Sequence, residues 1–462
     1  MPTTFSRSCS RDRLHASGIR PCQRWARAMT HPGTPSAAGR IRPRERDAIV
    51  ASLRAGMVPR AGQQHIQVGR AAEVQAAVHD VDRIAGGGAG CRFIIGEYGS
   101  GKTFFLHLVR SVALERRLVT VHADLSPDRR LHAGAGQARA LYAELMSNMA
   151  TRARPDGAAL ATVVERFVTS ALGDAAASGD DPAETIRTRL ASLTEMTGGY
   201  DFAAVVGAYW RGYDSGDDRL RTDAVRWMRG EFTSRVDARA ALGVRTIVDD
   251  STFYDHLRLM ARFVRLAGFN GLLVCLDEMV NLYKIIGSAA RNANYEQVLR
   301  IVNDTTQGSA AHLGFLFGGT PEFLLDPRRG LFSYPALASR LAPNRFAGSD
   351  RIDHSGPVIR LGSLAPEDVF VLLTKLRHVF AAGDPARYLV PDEALTAYMA
   401  YCSERLGDAY FRTPRETIRG FLDLLALLEQ HPGLHWSALL GMLDLAPAGS
   451  APGDDELTSF QL

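Results

Sequence analysis

The stretch Gly96-Glu97-Tyr98-Gly99-Ser100-Gly101-Lys102-Thr103 restricts this chain more than any other. It satisfies G-x-x-x-x-G-K-[ST] at every fixed position, with the apolar run "RFII" before it and the amphipathic run "KTFFLHLV" after it. The chemistry of such a loop needs a strand before it and a helix behind it. Glycines let backbone N–H groups turn inward around a phosphate, and the helix aims its positive end at the same anion. Lys102 then reaches the β and γ oxygens, and Thr103 offers a hydroxyl to Mg²⁺. Residues Gly96 to Thr103, with Phe104 in the first helical turn, are therefore expected to bind phosphate. Lysine is scarce, three of the 54 basic residues, so its presence at the required position is informative. A chain of this composition would match the pattern by chance on the order of 0.003 times, and a bare glycine-rich turn does not explain both flanks.

Around this unit, short β-rich runs alternate with helical patterns. Strands are expected at 92–96, 118–123, 272–276, 313–317 and 358–361, with helices at 102–114 and near 295–303. That alternation predicts an α/β fold built on a parallel sheet with helices on both faces. Runs such as "ARALYAELMSNMA" and "YDHLRLMARFVRLA" have helical spacing, and no strand pattern interrupts them, so 126–269 reads as a large helical insertion. The expected organisation is a disordered basic tail at 1–41, with Met29 as an alternative start, and a nucleotide-binding core at 42–345 that contains the insertion. A helical lid at 346–445 and a disordered acidic tail at 446–462 follow.

Composition excludes little else. No apolar run approaches the roughly 20 residues that span a bilayer, so no membrane partner is expected. The net charge of +4 does not by itself demand nucleic acid. Cys9, Cys22, Cys91, Cys275 and Cys402 lack metal-ligand spacing, which points to a reducing, cytoplasmic setting. His65, His107, His122 and His132 likewise lack such spacing.

A second acidic site is supplied by "GLLVCLDEM", an apolar strand ending in Asp277-Glu278. Asp277 is placed to hold the magnesium hydration shell, and Glu278 to orient and deprotonate an attacking water. A glutamate after the aspartate favours hydrolysis over nucleotide storage.

The order of strand, P-loop, strand, acidic-pair strand and a further strand ending in "FGGT" resembles the AAA+ ATPases, in particular the origin-recognition and signal-transducing clade. More narrowly, "FIIGEYGSGKTFFLH", "VHADLSPDRRLH", "LLVCLDEMVNLYK", "GGTPEFL" and "FRTPRETIR" are similar to ATP-binding proteins of BREX-type bacteriophage-exclusion systems, the BrxD-like group. The resemblance implies ATP with Mg²⁺, bound between core and lid, and either a homo-oligomer or an assembly with other defence proteins.

Residue by residue, the resemblance sets Ile66, Val68, Gly69 and Arg70 nearest the adenine; the alternative is an ordinary helix entry turning at Gly69. Thr320 takes the polar position that bonds the γ-phosphate or the water, although Thr320-Pro321 also reads as a capped helix start. Arg340 is the arginine donated to a neighbouring subunit, with Arg328 and Arg329 as competitors. Arg415 points from the lid towards the nucleotide, behind a helix start with Thr413 as cap, Pro414 in the first turn and Glu416 at capping-box spacing. Against that stands a solvent-facing arginine on a capped helix. The expected catalytic set is thus Glu278, Lys102, Thr320, Arg340 and Arg415.

DNA contact is left open. Arg219, Arg226 and Arg229 lie near Trp227 in 218–232 and could track a phosphate backbone. The interleaved Asp218, Asp223 and Glu231 favour a solvated face over an apolar stripe of Leu220, Ala224, Trp227 and Met228. Origin-recognition relatives carry a winged helix after the lid, for which the residues after Leu428 are too few, so the expected DNA contacts would come from the insertion, the basic N-terminus or a partner.

Overall fold

The computed structural model describes residues 41–348, 352–406 and 414–440. The expected disordered tails, save Ile41, and the Thr413 cap lie outside the described residues. Helices α1 (Pro43–Arg54) and α2 (Ala71–Ala85) precede the first strand. Strand β1 (Ala89–Ile95) enters the glycine loop, α3 (Lys102–Glu115) leaves it, and β2 (Val119–Asp124) follows. The middle of the chain is helical: α4 (Gln137–Ser147), α5 (Leu160–Ser178), α6 (Pro182–Thr194), α7 (Gly199–Ser215), α8 (Asp218–Met228), α9 (Arg235–Leu242) and α10 (Phe253–Leu266). The chain returns to the sheet with β3 (Leu272–Asp277), α11 (Val280–Tyr283), α12 (Ser288–Thr306), β4 (Leu313–Gly319), α13 (Pro321–Leu325), α14 (Pro335–Leu341) and β5 (Val358–Arg360). Four helices end the described chain: α15 (Pro366–Phe380), α16 (Asp392–Leu406), α17 (Pro414–Gln430) and α18 (Trp436–Leu440).

The five strands form one parallel sheet in the order β2-β3-β4-β1-β5. Strands β3 and β4, inside the sheet, are buried along their whole length, as strands covered on both faces must be. One face carries Val119, Val121, Leu272, Val274, Leu276, Phe315, Phe317, Phe93 and Ile95 into a core shared with helices α4 to α10 and α12. The insertion is therefore continuous with the sheet's own core. Residues of opposite parity meet α2 and α3. A Cβ at Gly314 would collide with Ile84 of α2, and one at Gly318 would lie 3.0 Å from Leu106 of α3. The α/β expectation thus holds, and each strand falls within a few residues of its expected range.

A second apolar core gathers α15, α16, α17 and α18 with Ile41, Ile49, Leu53 and Ile66. Helix α1 precedes the sheet in sequence yet packs on α15 and α17.

Candidate functional site

Because the strands are parallel, the ends of β1, β3 and β4 lie side by side: Ile95 pairs with Gly319, and Leu276 with Phe317. The glycine loop, the acidic pair and Thr320 all follow these ends. This carboxyl edge is where open α/β sheets place their ligands.

The loop leaves β1 at Gly96, whose N–H donates to Gly319 O at 3.1 Å. Gly99 and Gly101 adopt φ of 78° and 86°, left-handed values that cost a side-chain-bearing residue far more. Lys102 opens α3 and folds back over the loop, donating to Gly96 O at 2.8 Å and Glu97 O at 2.9 Å, with its ammonium 5.4 Å from the centroid of Tyr98. Burial lowers the Lys102 pKa, while Asp277, Glu278, Glu97 and Glu322 oppose that shift.

Thr103 donates to Asp277 Oδ2 at 2.7 Å, so the hydroxyl and the carboxylate expected at the metal converge. Gly318 makes room for them, since a Cβ there would run into the Asp277 carboxylate. Asp277 also accepts from the N–H of Glu278 through Oδ1 at 2.9 Å. Glu278 itself sits at φ 54°, a left-handed conformation uncommon for a residue with a side chain. Its carboxyl pKa is raised, first by burial and then by the charge of Asp277.

Above the loop lies a cavity of about 440 Å³. Gly99 to Thr103 and Glu278 line one part of it; Phe104, Ile66, Val68, Leu364, Leu372 and Ile418, all in or against the second core, make another part apolar. Arg70, Tyr98 and Arg415 complete the wall at different points. Expected residues thus meet from four regions of the chain. Arg70 adopts φ 57° directly after Gly69 at 58°, and this double left-handed turn directs the guanidinium to Ser100 O and, at 3.1 Å, to Gly362 O. Arg415 is exposed on the first turn of α17, and a Cβ on Gly56 would stand 3.4 Å from its Cδ.

Of the expected residues, Gly69, Gly96, Glu97, Asp277, Thr320 and Arg340 are not among those lining the cavity. Thr320 is buried and caps α13, accepting from Phe323 N at 3.4 Å. Arg340 is exposed at the end of α14, donating to Asn303 Oδ1 at 2.6 Å and Ala336 O at 2.9 Å. Of its competitors, Arg329 is tied to Tyr283 O at 3.1 Å.

Met57, Val58 and Pro59, on the loop after α1, also line the cavity. They carry no motif. In 218–232, Arg226 pairs with Asp223 at 3.0 Å and with Glu231 at 3.5 Å, and Arg229 with Glu231 at 3.6 Å. Trp227 is buried and donates to Thr246 O. Among the described residues no helix is long and apolar enough to cross a membrane.

A parallel sheet with a glycine loop, its lysine and a strand-end aspartate bonded to the loop threonine defines a P-loop nucleotide-binding protein. The chain belongs to the BREX system ATP-binding protein BrxC/D family, whose model matches residues 41–444. It is therefore an ATP-binding protein of the BREX type. No curated protein matches the chain at a significant level.

Proposed function

We propose that the chain hydrolyses ATP, with Glu278 as the base. The observation that carries this reading is the Thr103–Asp277 hydrogen bond at 2.7 Å beside Glu278 in the glycine-loop part of the cavity. A hydroxyl and a carboxylate are the hard oxygen donors that suit Mg²⁺, which usually keeps several waters and takes few protein ligands. Thr103 and Asp277 would hold that ion, which supplies charge neutralisation on the phosphates. The chain's own groups do the rest. Lys102 releases the carbonyls of Gly96 and Glu97 to meet the β and γ oxygens. Glu278 accepts a proton from the water that attacks in line. Ile66 and Val68, with Leu364, Leu372 and Ile418, enclose the base, and Arg415 lies at the lid side. Thr320, which follows β4 and caps α13, would bond the γ-phosphate or the attacking water.

Steady-state ATP turnover of the chain and of Glu278→Gln tests the reading. The variant is expected to bind ATP and lose most turnover; equal turnover would remove the assigned base.

A second reading is a nucleotide-loaded switch with little turnover, used to recruit other components of the defence system. It is favoured by the exposure of Arg340 away from its own cavity, which leaves Lys102, Arg70 and Arg415 as the basic side chains that line the cavity within one chain. A DNA-dependent reading draws less support, since Arg226 and Arg229 are already paired with carboxylates.

A further inference from the structure

Lysine appears three times in this chain, and Lys375 lies outside both the glycine loop and the acidic strand end. It is part-buried on α15, and burial alone accounts for its lowered pKa. No carboxylate neutralises it among the ion pairs of the described residues. Its ammonium donates to the backbone carbonyl of Gln67. Gln67 and Val68 line the apolar part of the cavity, and so does Leu372, one helical turn before Lys375.

One further turn back, Asp368 packs on Gly69, where a Cβ would stand 2.8 Å from its carboxylate oxygen. A single face of α15 therefore touches the cavity and both ends of the segment Gln67–Gly69. The far side of that segment is fixed separately, because Arg70 bonds Ser100 O in the glycine loop and Gly362 O ahead of the lid. A partly desolvated ammonium holding a lone carbonyl is a costly arrangement, and it joins the lid to the wall of the base pocket.

We propose that Lys375 is a positioning residue for nucleobase recognition: by holding the Gln67 carbonyl, it keeps Ile66 to Val68 closed against Leu372, so that base binding depends on the lid. This rests on reading the apolar part of the cavity as the base subsite. Lys375 itself does not touch the nucleotide.

The test compares the affinity of the full chain for ATP and for inorganic tripolyphosphate, which engages the glycine loop and has no base. In Lys375→Met the ATP dissociation constant is expected to rise about 10-fold, the scale of one lost charge-assisted hydrogen bond, with tripolyphosphate affinity unchanged. Unchanged ATP affinity, or equal loss for both ligands, overturns the proposal. If the methionine variant fails to melt cooperatively, Lys375→Leu, which likewise has no donor for the Gln67 carbonyl, carries the same comparison: a loss confined to ATP supports the proposal, and either of the other two results overturns it. A native chain that binds ATP no tighter than tripolyphosphate would instead remove the base subsite, and the proposal with it.

Discussion

Glu278 combines a left-handed backbone, a part-buried carboxyl and a neighbouring carboxylate in one residue. Each has a chemical consequence. The turn at φ 54° separates the two acids, so that Asp277 faces Thr103 while Glu278 reaches the cavity. Burial and the Asp277 charge disfavour ionisation, so the glutamate titrates above the ordinary range for its kind. A general base works only as the carboxylate, and a base of higher pKa accepts a proton more readily. Turnover is therefore expected to rise with pH through the Glu278 titration, with the acid limb displaced upward from that of an unperturbed glutamate. A profile of kcat/KM against pH checks this. A limb at the position of an unperturbed glutamate would detach it from Glu278.

At the scale of elements, α1 joins the sheet-proximal cavity to the lid. Ile49 is fully buried in the lid's core, Arg46 donates to Phe380 O at 3.0 Å, and Leu53 lines the cavity. Ile49→Ala is expected to cost about 2–5 kcal/mol in the stability of this part, the usual loss for such a truncation in a packed core. Denaturant unfolding followed with and without ATP measures it, and ATP is expected to raise the midpoint of both proteins, because ligand binding adds stability by mass action. An unchanged midpoint would mean that α1 is not integral to the lid core.

The sheet and the glycine loop were readable from sequence because their signals are local: β3 and β4 are buried on both faces, and the loop's spacing is fixed by phosphate geometry. The association of α1 with α15 and α17 was not, since it joins residues more than 300 apart and no period connects them. Arg70 shows a different limit. Its place beside the cavity was legible, whereas its bond to Ser100 O follows from the left-handed turn at Gly69 and Arg70, which helical spacing does not encode.

For the whole molecule, the question is whether one chain carries a complete site. The sheet with its insertion forms one core, the lid with α1 another, and the cavity is lined from both. Within that cavity the basic side chains are Lys102, Arg70 and Arg415, and Arg70 is engaged by backbone carbonyls. Arg340 points elsewhere, held by Asn303 on the exposed end of α14. A guanidinium so exposed is available to a neighbouring copy, where its fork would meet charge developing on the γ-phosphate. This leads to a mixing experiment. Glu278→Gln and Arg340→Ala should each be nearly inactive alone. If Arg340 acts across a subunit boundary, an equal mixture restores activity, because one in four random interfaces pairs an intact Glu278 with an intact Arg340. Turnover of about a quarter of the native value is then expected, for a dimer or a closed ring alike. A mixture that stays inactive confines Arg340 to its own chain, and an active Arg340→Ala alone removes it from the site altogether.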